Sequence, residues 1–179
     1  KLAEQKKVNL EYEAAVAGGI PIIRILKEGL IGNKISKIYG ILNGTSNYIL
    51  SNMEKIKMDF ETVLKKAKEL GYAESNPKSD LNGEDVKSKI QILSSLAFNC
   101  FINKSKINVE GINNVDQIDI KNARILGYKI KHLGVAELEN GKLIQGVYPC
   151  LVKKESHISN VNDVSNAIII EGKPIGKFI

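Results

Sequence analysis

Sixteen residues, Glu74 to Lys89, hold seven charged side chains: Glu74, Lys78, Asp80, Glu84, Asp85, Lys87 and Lys89. Gly71, Pro77 and Gly83 punctuate the same stretch. Such a segment packs poorly but can hold a small polar molecule, because a rigid scaffold can aim the side chains of a loop. Asp85 and Lys89 stand four apart at a predicted helix start and share one face. Ile92 and Leu96 continue that face, so the charged pair sits where the stripe turns apolar. A partly buried lysine can have its proton affinity tuned, and can then give or take a proton. The plain alternative is an exposed ion pair worth about 0.3–0.5 kcal/mol. Glu74 and Asp80 are suited to gripping an ammonium group, although Asp80 could equally cap a turn. Asn43-Gly44-Thr45 follows a predicted strand and opens a helix, where free N–H groups attract a carboxylate. Thr45 as the N-cap is the simpler reading, and the two are compatible. Tyr72 could hydrogen-bond a ligand through its hydroxyl, or be a half-buried aromatic after a helix end.

The segment from Ala67 through Gly71-Tyr72-Ala73, Pro77, Asp80-Leu81, Gly83 and Asp85 to Lys89 resembles the signature of homoserine dehydrogenases. Two other stretches match the same family in order: Glu13-Ala-Ala-Val-Ala-Gly-Gly-Ile-Pro-Ile-Ile and Gly40-Ile-Leu-Asn-Gly-Thr-Ser-Asn-Tyr-Ile-Leu. Those enzymes interconvert L-aspartate 4-semialdehyde and L-homoserine with NADP or NAD, on the aspartate pathway to threonine, methionine and isoleucine. The resemblance implies that Lys89 is the proton donor and that Asp85 tunes or orients it. It implies that Glu74 and Asp80 hold the substrate, that Tyr72, Gly44 and Thr45 contact it, and that Gly71 faces the nicotinamide. It also implies a monovalent cation, typically sodium, held by Glu13 and the backbone carbonyls of Val16, Gly18 and Ile20. Oxygen-only ligation suits a hard cation; the plain alternative is that Gly18-Gly19 makes a tight linker. Ser75-Asn76 departs from the Ala-Asp that the family often has there, which removes one carboxylate.

No G-x-G-x-x-G follows a strand, and Gly18-Gly19 and Gly29/Gly32 have the wrong spacing. The expectation is therefore that residues 1–13 are the residual end of a nucleotide-binding domain and that residues 14–179 form a substrate-binding, catalytic and dimerisation domain. The same resemblance places a further lysine upstream of Lys1 and a closing helix beyond Ile179. The rival reading is a non-catalytic dimerisation or regulatory module of the same fold, against which the intact Glu74, Asp80, Asp85 and Lys89 set argues.

At 179 residues and 43% hydrophobic composition the chain can fill one core. The net charge of +6 is spread in short lysine pairs rather than a stripe, and there is no tryptophan. Nucleic acid is thus a poor partner. Cys100 and Cys150, fifty residues apart, make no metal spacing and read as small buried hydrophobes. Neither His132 nor His157 has metal-ligand neighbours. No apolar run approaches a membrane span, no signal peptide is visible, and a reducing cytoplasm fits.

The elements that must position these residues follow from periodicity and punctuation. Leu2 to Lys7 reads as a helix end and Val8 to Glu13 as a strand. A helix with Pro21 near its start covers about 20–28, and Lys34 to Leu42 alternates as a strand. Helices follow at about 45–55, at 60–70 behind an Asp59 N-cap and closed by Gly71, and at 84–101. A short helix at about 117–126 precedes a β-hairpin, 129–138 and 142–153 around Asn140-Gly141. A strand at 166–170 and a last apolar piece end the chain. Helices interleaved with strands, then antiparallel strands, predict an α+β fold: a mixed sheet with helices packed on one face. Its apolar strands predict a homodimer formed through the sheet.

Overall fold

The computed structural model describes residues 2–100 and 107–179. Seven helices lie among them: α1 Leu2–Lys6, α2 Ile22–Arg24, α3 Gly44–Ile56, α4 Phe60–Glu69, α5 Lys78–Leu81, α6 Glu84–Ala97 and α7 Gln117–Ile125. The strands are β1 Lys34–Ile41, β2 Asn108–Val109, β3 Tyr128–Glu139, β4 Lys142–Lys153, β5 Ala167–Lys173 and β6 Gly176–Phe178. They form one sheet in the order β2-β4-β3-β1-β5-β6.

The sheet is antiparallel except that β2 runs parallel to β4, which makes it mixed. Its longest pairing is the β3–β4 hairpin. Asn140 and Gly141 both have positive φ, 49° and 78°, as a two-residue turn with the right-handed strand twist requires. β1 lies in the centre, with Ile38 opposite Ala136 on β3 and Ile170 on β5.

Alternation then sorts the side chains by face. Ile38, Ala136, Val147, Ile168 and Ile170 meet Val86, Ile90 and Leu93 of α6 together with α2. A side chain at Gly134 would come within 3.0–3.2 Å of Val86, Ile90 and Leu42, so α6 reaches the sheet only because that position has no Cβ. A second cluster joins α3, α4, α7 and Ile130. The other face carries Tyr39, Ile41, Leu133, Val135, Cys150, Val152 and Ile169, against which, among the described residues, the helical turn His157–Asn160 and Val161 pack.

Four expectations change. Val8 to Glu13 forms no strand: Val8 and Leu10 are 60% and 63% exposed, and Glu13 opens a 3₁₀ turn. Alternation makes a strand only where a neighbour completes its hydrogen bonds, and none lies beside these residues among those described. The helix expected to reach Phe101 ends at Ala97, with Asn99 at φ 46°; Phe101 lies outside the described residues. Cys100 and Cys150 are half-buried rather than buried, and both are free thiols. The helix expected at about 20–28 begins only at Ile22, as α2, and finishes in a wide turn, Ile25–Gly29, in which Leu30 N–H donates to the Ile25 carbonyl.

Candidate active site

The starts of α3 and α6 are joined through Asn43, and Asp80, Asp85 and Lys89 gather there. Asn43, rather than Thr45, caps α3: its Oδ1 accepts from Ser46 N–H at 2.8 Å. Asparagine is among the best N-caps because its short side chain reaches back to the first turn. The same side chain turns its amide outward. Asn43 Nδ2 donates to Asp80 Oδ1 and to Asp85 Oδ2, each at 2.9 Å. One amide therefore clamps two carboxylates at the mouth of two helices, where the N-terminal partial charges favour them.

Asp80 lies on α5, a single turn that Pro77 starts. That turn is pinned from both sides. Ser46 Oγ donates to the Asp80 carbonyl at 2.8 Å, and Ile112 N–H donates to the Leu81 carbonyl at 2.8 Å. Gly83 then precedes α6 with φ 86°, packed against Val109, Val147 and His132. Only glycine takes that conformation without strain, so Gly83 sets the direction in which α6 launches Asp85 and Lys89.

Lys89 Nζ lies 2.7 Å from Asp85 Oδ2 and donates to the Leu42 carbonyl at 3.0 Å. The two side chains are 24% and 28% exposed, as the apolar continuation of their helix face predicts. An ammonium has three N–H donors. Two are taken inside the protein, and the third is left for a ligand on the exposed side.

Thr45 Oγ1 donates to the Tyr72 carbonyl at 2.7 Å, which ties the end of α4 to the start of α3. The Tyr72 ring packs on Tyr48 with centroids 5.1 Å apart, and burial pushes the Tyr48 phenol above its ordinary pKa. The backbone N–H groups of Gly44 and Thr45 have no intrahelical acceptor at a helix start, while Asn43 takes that of Ser46. They remain for an anion. Gly71, φ 75°, ends α4 beside Tyr72, and a Cβ there would meet nothing within 4 Å.

Glu74 is exposed and joins none of the hydrogen bonds among the described residues. Glu13 caps α2: its carboxylate accepts from Ile23 N–H at 2.8 Å and Arg24 N–H at 3.0 Å. Val16 is buried beside it, and Ala17 and Gly18 follow with φ 60° and 59°. The Ile20 carbonyl accepts from Ile22 N–H. No cluster of three His, Cys, Asp or Glu side chains that could hold a metal occurs among the described residues.

Three residues to which sequence reasoning gave no role of their own belong to this region. Asn43 could have been found as the asparagine three residues before Ser46. Buried His132 holds the Glu110 carbonyl at 3.0 Å through Nε2, while its Nδ1 has no partner. Burial lowers its pKa. Lys131 is buried on the adjacent strand position, and no local signal marks it.

Comparison with known proteins gives the family. The sequence profile of homoserine dehydrogenase matches residues 21–179. The homoserine dehydrogenase of Neisseria gonorrhoeae is 48% identical over 177 residues, covering 98% of this chain and 40% of that protein. That of Synechocystis sp. is 44% identical, covering 98% and 41%. Among solved structures, a homoserine dehydrogenase from Thiobacillus denitrificans superposes with a TM-score of 0.96 at 42% identity, over 98% of this chain and 41% of that one. One from S. aureus does so at 0.87 and 44%, over 99% and 42%. The chain spans about 40% of the length of these relatives. Motifs, fold and relatives converge, and the chain belongs to the homoserine dehydrogenase family.

Proposed function

We propose that this chain is the substrate-binding, catalytic and dimerisation part, residues 14–179, of an NAD(P)-dependent homoserine dehydrogenase, with residues 1–13 ending a nucleotide-binding segment. The observation that carries this is the half-buried Lys89 amine. Asp85 and the Leu42 carbonyl hold it, with one donor left over beside the Asn43-clamped Asp80. A bound nicotinamide would supply or accept the hydride at the carbon that is aldehyde in one substrate and alcohol in the other. Lys89 gives its free proton to the oxygen as the aldehyde is reduced, and takes it back in the reverse direction. Asp85 holds and aims the amine. Asp80 and Glu74 receive the substrate's ammonium and hydroxyl end, and the N–H groups of Gly44 and Thr45 receive its carboxylate. Tyr72 closes the substrate pocket beside Thr45. Gly71 leaves open space for the nicotinamide face.

The donor set at Glu13, Val16, Gly18 and Ile20 is all oxygen, which fits a hard monovalent cation such as sodium. Its backbone turns at Ala17 and Gly18, and Glu13 is fixed by two N–H bonds. The thinly covered face of the sheet, with a recess of 340 Å³ beside Tyr39, Val135 and Cys150, is the surface on which two copies would pair. Two free thiols suit the cytoplasm, and no helix among the described residues is long and apolar enough to cross a membrane.

The test is Lys89→Ala in the full-length protein. A proton donor acts mainly in the transition state, so kcat and kcat/KM should fall together by roughly a hundred- to ten-thousand-fold. An unchanged kcat in a folded variant defeats the assignment. This chain alone should not oxidise NAD(P)H with aspartate semialdehyde, because it carries no phosphate-binding fingerprint.

A further inference from the structure

Lys131 is 1% exposed, the most deeply buried charged group among those described. Its Nζ donates to Asn47 Oδ1 at 3.2 Å, Ser51 Oγ at 3.2 Å, Asn162 Oδ1 at 3.1 Å and the Val161 carbonyl at 2.6 Å. Four acceptors thus face a group with three protons to give. None is a carboxylate, so the positive charge is bound but not cancelled.

The groups bound are informative. Asn47 and Ser51 lie on the first two turns of α3; Val161 and Asn162 open the 161–165 loop. Asn47 also ties that loop directly, its Nδ2 donating to the Val161 and Ser165 carbonyls at 3.2 and 3.1 Å. The far side of the loop presses on the start of α3: a Cβ at Gly44 would lie 2.9 Å from the Val164 carbonyl. Asn47 is three residues past Gly44, roughly 4.5 Å along the helix axis. The buried charge therefore sits beside the helix end whose free N–H groups await an anion.

We propose that Lys131 is a positioning residue for the substrate carboxylate: it holds the 161–165 loop against Gly44 and adds a fixed positive charge behind the Gly44 and Thr45 N–H groups. This rests on the reading of the α3 start as the carboxylate subsite. Burial and the neighbouring Lys129 lower the amine's pKa to about 8, while Glu54 and Asp163 pull the other way. Lys55 and Arg124 line the cavity that these groups share with Ser51 and Asn162. Through that titration the charge, and with it the contribution to anion binding, should fade as pH rises past neutrality.

The experiment measures the dissociation constant of L-homoserine by calorimetry on the full-length protein at pH 7 and pH 9. Wild type is compared with Lys131→Met and Asn162→Asp. At pH 7 Lys131→Met should bind about tenfold more weakly, the size expected of one poorly screened charge at this range. At pH 9 the two proteins should converge, and kcat should change by less than about threefold. Binding of 3-aminopropan-1-ol, which lacks the carboxylate, should be equal in both. Asn162→Asp sets a carboxylate against the amine and cancels its charge, so homoserine should bind about as weakly as to Lys131→Met, with no change between pH 7 and pH 9. Equal homoserine binding by wild type and folded Lys131→Met at pH 7 overturns the proposal. If Lys131→Met does not fold, an unaltered pH course in Asn162→Asp overturns it. Wild type that binds no homoserine defeats the underlying site reading, and the proposal with it.

Discussion

Two lysines in this molecule are placed in opposite ways. Lys89 is a quarter exposed, paired with a carboxylate, and keeps one donor free for a ligand. Lys131 is enclosed, faces only neutral acceptors, and has none to spare. The first arrangement suits exchange of a proton with a ligand, because one N–H stays unengaged while Asp85 and the Leu42 carbonyl hold the amine in place. The second suits a fixed strut, because its donors already bind one helix and one loop. What separates an exchangeable amine from a structural one is therefore the unsatisfied donor, not burial.

The contrast can be broken most sharply by turnover. Lys89→Ala should cost roughly a hundred- to ten-thousand-fold in kcat, whereas Lys131→Met should leave kcat within about threefold; equal losses would erase the distinction. Stability should rank the other way. Lys131→Ala strands four buried acceptors and should destabilise the fold by about 2–4 kcal/mol. Lys89→Ala removes a partly solvated pair and should cost under about 1 kcal/mol in thermal or urea unfolding.

A pH series separates them further. The folded pKa of Lys131 is about 8 against an ordinary 10.5, so between those values the unfolded chain binds the extra proton. Unfolding free energy should then rise with pH from about 8 towards 10.5, and Lys131→Met should flatten that rise. His132 is likewise depressed. Its neutral form is the folded one, so stability should fall as pH drops below its ordinary value of 6.5, and His132→Leu should reduce that fall.

The smallest effects test the residues around Lys89. Asp85→Ala should lower kcat in the same direction as Lys89→Ala but less, because it acts through the amine. Glu74→Ala should chiefly raise KM for homoserine, since an exposed carboxylate can grip the substrate ammonium but holds nothing else in place. A larger kcat loss for Glu74→Ala than for Asp85→Ala would reverse their assigned roles.

Much of this was legible in the residues. The Asp59 cap, the Gly71 stop, the Asn140-Gly141 turn and the Asp85–Lys89 spacing all depend on atoms within a few residues of each other. The Val8 to Glu13 strand misled for the complementary reason: alternation there is real, but a strand also needs a neighbour. The Thr45 cap misled because Asn43 competes for the same helix start and reaches the Ser46 N–H better.

The sequence by itself therefore determined the local geometry: which faces are apolar, where helices start and stop, and that an amine and a carboxylate share a helix turn. Tertiary structure decided what those groups meet. Asn43 clamps Asp80 and Asp85 across 37 and 42 residues, and Lys131 reaches Asn47 across 84. Local patterns constrain backbone angles over one or two turns. The partners of a buried polar group are set only when sheet and helices close around it, and no window along the chain contains that closure.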